Sequence, residues 1–183
     1  MSRLKQPQEH DDLLNYRLKR LLTLGAAPAI RLCEGGFGVA RMEWRLVAAL
    51  EEDGPMSLSA LVRRTGIDQA RVSRAIDRLA EKGLVRRARD GAERHRAVIE
   101  STDDGRLLYR ELFPALARIN QRIMAALDES EALVLEDYLQ RLTARAKEIL
   151  DSGGGVEVRT DRRLGGSRRL WPHAGTRGTT STG

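Results

Sequence analysis

The chain is 183 residues long, 41% hydrophobic and 32% charged, with a net charge of +6. That length suits one domain with a substantial core, and the composition is globular rather than disordered. No apolar run approaches the roughly 18–20 residues of a membrane span, residues 1–12 lack the apolar stretch of a secretory signal, and one cysteine, Cys33, excludes an internal disulfide or a cysteine-built zinc site.

Residues 1–11 are polar and expected as a flexible arm. From Asp12 to about Cys33, Leu14, Leu18, Leu21, Leu22, Leu24, Ile30 and Leu32 follow a helical period. Gly25 and Pro28 interrupt it and predict a kink or short break. Glu34–Gly38 reads as a loop, and Ala40–Glu52 as a second helix ended by Asp53-Gly54-Pro55. Ser57 caps a short helix over Leu58–Arg64, and Thr65-Gly66 turns the chain. Asp68 then caps a helix over Gln69–Lys82 that Gly83 terminates. Leu84–Ala88 and Ala97–Glu100 read as strands, with Asp90-Gly91 between them as a hairpin signal. Thr102 or Asp103 opens a long helix from Asp104 to about Leu127, which Pro114 is placed to bend. Asp128 and Glu131 make a D-x-x-E start for a last helix, Ala132–Leu150. Residues 151–183 are rich in Gly, Ser, Thr and Arg without an apolar period, the composition of a disordered tail.

The positive charge is concentrated. Met1–Val62 is neutral overall, whereas Arg63–Arg96 holds 11 basic and 5 acidic residues. Ala97–Leu150 has 7 basic against 10 acidic, and the tail 6 against 3. The basic window contains the two capped helices joined by the Gly66 turn. Leu58, Leu61, Val62, Ile67, Val72, Ile76 and Leu79 are spaced to share one small core, leaving Gln69, Arg71, Ser73, Arg74 and Asp77 on the other face. That is the layout of a helix–turn–helix whose second helix reads DNA. Arginine pairs bidentately with guanine and glutamine with adenine, while helix N-termini hold phosphate. Arg86, Arg87, Arg89, Arg94 and Arg96 lie in or beside the following hairpin, as a wing that reaches a minor groove requires. Aromatic residues are only 4%, against a single-strand binder built on stacked rings.

At this point the chain resembles the multiple antibiotic resistance regulator (MarR) family. The matching stretches are EWRLVAAL, LSALVRRTGIDQARVSRAIDRLAEKGLVRR and ERHRAVIESTDDGRLL. Arg94 falls on the family's wing arginine; His95 departs from its usual second arginine and Ser101 from its usual leucine. The resemblance implies a mainly α (α+β) winged helix–turn–helix fold over residues 12–150. Its DNA-binding core would be 40–102, and residues 12–38 and 103–150 would be dimerisation helices. It implies double-stranded DNA as partner, with Ser57, Gln69, Ala70, Arg71, Ser73, Arg74, Arg78, Arg87, Arg94 and Arg96 as the DNA-binding set. It also implies a homodimer, with two reading helices about one DNA turn apart on a pseudo-palindrome. A small aromatic or phenolic effector is implied between the dimer helices and the winged domain. Candidates for it are Tyr16, Arg17, Arg20, Trp44, Arg45, Tyr109 and Phe113, since arginine beside aromatics suits a carboxylate-bearing ring. For most of these the plainer reading is the stronger one, and Trp44 and Phe113 are expected as core residues ahead of effector contacts.

His10, His95 and His173 lack ligand spacing, so no metal is expected. With no phosphate loop, dinucleotide fingerprint or nucleophile–base motif, neither a cofactor nor an enzyme is expected. Oxidant sensing by Cys33 would need a low pKa and access, and the adjoining Glu34 argues against it. The reading is a cytoplasmic, homodimeric, ligand-responsive repressor. The alternatives are a constitutive winged-helix DNA binder without an effector and a winged-helix protein–protein interaction module.

Overall fold

A computed structural model describes residues 1–89 and 97–153. Its elements follow the expected order: α1 (Leu14–Arg31), α2 (Arg41–Asp53), α3 (Leu58–Thr65), α4 (Gln69–Glu81), β1 (Val85–Arg89), β2 (Ala97–Ser101), α5 (Asp103–Met124) and α6 (Glu129–Asp151). The chain is mainly helical with one antiparallel pair of strands, as a winged helix–turn–helix requires. The described residues divide into two compact units, one within residues 1–127 and one over residues 128–153.

In the first unit, helix termini sit where local chemistry puts them. The Ser57 hydroxyl accepts from the Ala60 amide and the Asp68 carboxylate from the Arg71 amide, so both helices of the helix–turn–helix start on a side-chain cap. Gly66 ends α3 at φ 66°, a left-handed conformation that a side chain would strain. Between these caps the apolar period of α4 buries Val72, Ala75, Ile76 and Leu79 completely. They pack with Leu61 of α3, Leu46, Val47 and Leu50 of α2, and Leu108 and Leu112 of α5. Burying Ile76 and Leu79 contributes about 2 kcal/mol each.

Two junctions fix the sheet to this core. Met56 exchanges backbone hydrogen bonds with Ile99 of β2, at 3.0 and 2.7 Å. Thr102 caps α5 while its hydroxyl donates to the Gly83 carbonyl, 2.6 Å away. A Cβ on Gly105 would run into the Leu84 carbonyl oxygen, so only glycine lets α5 approach the α4–β1 junction this closely.

The break expected at Gly25 and Pro28 is displaced. α1 runs through both, and the chain widens instead into a π-type turn at Leu32–Gly36. Proline removes one donor only. Gly25 meanwhile lies close to α5, where an added Cβ would meet Ile123 Cδ1 at 3.3 Å. Pro114 is likewise carried inside α5. Ahead of α1, in and just after the segment expected as a flexible arm, a short 3-10 turn spans His10–Asp12. The buried Asp12 accepts there from the Gln8 amide and from Arg17.

The second unit is α6, which opens on the expected capping box: Asp128 accepts from the Glu131 amide, and Glu131 accepts from the Asp128 amide. Leu133, Val134, Tyr138, Leu139, Leu142, Ile149 and Leu150 are exposed along it. In the first unit, Leu18, Leu21, Leu22 and Leu24 are exposed on α1, where only Ala26 is buried. Among the described residues no helix is long and apolar enough to cross a membrane.

Candidate nucleic-acid interface

Because α4 buries one edge, its opposite edge is fixed in solvent. Gln69, Ala70, Arg71 and Arg74 are exposed there and Ser73 is half-buried. Arg71 stays near its own cap, with Nε 3.8 Å from Asp68. Ser57 sits half-buried at the start of α3 and also shares a hydrogen bond with Ser59.

The strands begin the expected wing. Val85 pairs with Ser101 and the register runs to Arg89 opposite Ala97. The Arg87 guanidinium donates to Asp77 of α4 at 2.8 Å, which joins the wing to the reading helix. Across the strands, Arg86 pairs with Glu100 at 2.6 Å. Arg94 and Arg96, with the Asp90-Gly91 hairpin signal, lie outside the described residues, as does the tail beyond residue 153.

Arg78 stands apart from the other candidates. Its Nε donates to Glu43 Oε1 of α2 at 2.7 Å, and Lys82 Nζ donates to Glu43 Oε2 at the same distance. Glu43 is only 1% exposed, and its Oε2 also accepts from the Ala40 amide, capping its own helix. Lys82 additionally reaches the Gly38 carbonyl. Burial pushes the Glu43 carboxyl up, but the hydrogen bonds from Lys82, Arg78 and the Ala40 amide outweigh it and hold the group below its ordinary value. The sequence reading gave Glu43 no role. Yet it lies three, four and seven residues before Leu46, Val47 and Leu50, on the apolar face, and that spacing was the available signal.

The effector candidates divide. A cleft of about 330 Å³ between α1, α2 and α5 is lined by Arg41, Trp44 and Arg45 on one side and by Leu116, Ile119 and Asn120 on another. Trp44 and Arg45 were expected there; Arg41 and Asn120 were not. Trp44 stacks on Tyr109 with ring centres 5.5 Å apart, and Tyr109 on Phe113 at 5.4 Å. Trp44 is the core residue its type suggests, whereas Phe113, expected in the core as well, is 47% exposed. Arg45 donates to the Thr65 carbonyl at the end of α3. Tyr16, Arg17, Arg20, Tyr109 and Phe113 do not line this cleft. Tyr16 packs edge-on against His10, and Arg17 holds the Asp11 carbonyl and the Asp12 carboxylate. Cys33 also lines the cleft but is fully buried, and burial pushes its thiol up, which opposes thiolate chemistry. Among the described residues no group of histidine, cysteine or acidic side chains could hold a metal ion.

Comparison with known proteins agrees with this geometry. Residues 37–95 match the model of the MarR family. Over 96 residues the chain is 27% identical to the HTH-type transcriptional repressor NicR of Pseudomonas putida, covering 52% of this chain and 61% of that one. The structure resembles that of Bordetella bronchiseptica BpsR, whose DNA binding is regulated by 6-hydroxynicotinic acid. The TM-score is 0.66 and the identity 26%, over 75% of this chain and 97% of that one. A probable transcriptional regulator from Pseudomonas aeruginosa gives a TM-score of 0.62 at 28% identity, over 73% and 99% of the two chains.

The Glu43 cluster carries a pH prediction. A carboxyl held below its unfolded value contributes stability that is complete above that value and lost as pH falls through the folded one. Glu43→Gln is therefore expected to lower the melting temperature at neutral pH, with the gap to wild type closing as pH falls below the ordinary glutamate range. A gap that stays constant with pH would show that the charge of Glu43 contributes nothing.

Proposed function

The chain belongs to the MarR family of transcriptional regulators, and on that premise we propose that it acts as a homodimeric, ligand-responsive repressor of a pseudo-palindromic operator. In this reading it regulates transcription by binding DNA. The observation that carries the finer reading is the exposed polar edge of α4, held outward by the four fully buried residues beneath it. In this reading Gln69, Ala70, Arg71, Ser73 and Arg74 meet base edges and nearby phosphates, and Ser57 meets a phosphate at the start of α3. Arg87, with Arg94 and Arg96, supplies the wing.

Dimerisation is supported by the apolar residues exposed on α1 and α6, which a second copy would cover. An aromatic carboxylate is the class of effector that the α1–α2–α5 cleft suits: Arg41 and Arg45 offer charge, Trp44 a ring face and Leu116 and Ile119 apolar walls. BpsR and its 6-hydroxynicotinic acid supply a precedent at the level of ligand class.

Titration against an operator selected from random duplexes tests the DNA reading. The wild type is expected to bind with a steep salt dependence, and Arg74→Ala to lose at least about tenfold in affinity, the cost of one base-reading arginine. Salt-insensitive or absent binding would contradict the reading and favour a protein–protein module. The effector reading predicts that 6-hydroxynicotinic acid, or another aromatic monocarboxylate from a graded set, raises the melting temperature of the wild type but not of Arg41→Ala. No shift with any of them would favour a constitutive DNA binder.

A further inference from the structure

Two carboxylates are buried among the described residues. Asp12 closes the turn before α1, whereas Glu43 reaches from α2 to the reading helix. Arg78, in the last turn of α4, and Lys82, the residue that caps its C-terminus, lie one turn apart and converge on the two oxygens of Glu43. Their side chains are still 45% and 37% exposed, so solvent and phosphate have access to them. From sequence Arg78 counts as one more DNA contact.

Burial decides where they go. Apart from these two cations, the Glu43 carboxylate has only the Ala40 amide as a described partner. Drawing either cation to a phosphate would leave a buried charge short of a partner, which is strongly unfavourable. The cations therefore stay on Glu43, with two consequences. Two cations are kept from direct contact with a phosphate backbone, and Glu43 offsets one of their two charges. The roll of α4 against α2 is fixed by bonds from two successive turns, and that roll aims Gln69, Arg71 and Arg74. We propose that Glu43 is a specificity-determining positioning residue, which sets the pose of the reading helix and withholds Arg78 and Lys82 from the DNA backbone. This rests on the DNA reading proposed above.

The test compares the selected operator with a scrambled duplex of equal length, over a range of salt concentrations, with the full chain. In Glu43→Gln, discrimination between the two duplexes is expected to fall at least tenfold. The salt slope on the scrambled duplex is expected to steepen by about one to two, as one or both cations become available. Arg78→Gln and Lys82→Gln are expected to leave that slope at the wild-type value, because neither cation contacts phosphate in the wild type. These two variants keep the question open to measurement even if Glu43→Gln fails to fold. A slope reduced by about one in either would show that its cation already binds phosphate, and would overturn the proposal. Unchanged discrimination and slope in a folded Glu43→Gln would overturn it as well. A wild type that binds neither duplex contradicts the DNA reading itself, whereas normal wild-type binding with these variant results contradicts only this inference.

Discussion

Helix α4 buries Val72, Ala75, Ile76 and Leu79 completely, and the placement of the exposed polar side chains opposite them follows from that burial. A 13-residue helix with one apolar stripe has one low-energy orientation on its core. Once the stripe is covered by Leu61, Leu46 and Leu112, the polar edge has no choice of direction. The caps at Asp68 and Gly83 fix the ends of the helix and the junctions at Met56 and Thr102 fix the sheet beside it. Asp77 and Arg87 then join reading helix to wing.

Helix α2 is the element that the core, the cleft and the reading helix share. Leu46, Val47 and Leu50 belong to the core, Arg41, Trp44 and Arg45 line the cleft, and Glu43 holds the last turns of α4. A ligand that moved the first turn of α2 would move Glu43 with it, and through Arg78 and Lys82 the reading helix. Packed helices transmit small shifts because their interiors have little free volume. The proposed effector response thus has a short physical path, in which no contact between cleft and DNA is needed.

The elements were legible in the sequence because their signals are local. Asp68, Gly83, Thr102 and the Asp128–Glu131 box sit within a few residues of the helix ends they define. The period of Val72, Ile76 and Leu79 similarly gave the buried edge of α4, and with it the exposed Gln69, Arg71 and Arg74. The Glu43 cluster was missed because its partners lie 35 and 39 residues away, and only the place of Glu43 on the apolar face of α2 hinted at burial. For the same reason Arg78 read as one more surface cation. The grouping of Tyr16, Arg17 and Arg20 with the aromatic candidates followed the residue types. Pairwise geometry instead commits Arg17 to Asp12 and Tyr16 to His10. The run through Pro28 was not legible either, since a proline signals a break and the packing of Gly25 against Ile123 lies far along the chain.

The central claim is that two copies of α4, each fixed by its buried edge, read one side of a duplex together. Hydroxyl-radical footprinting of the full chain on its selected operator tests this most directly. The account predicts two protected blocks on the same face, with centres about 10 base pairs, one helical turn, apart. A single protected block, or two blocks on opposite faces, would contradict it.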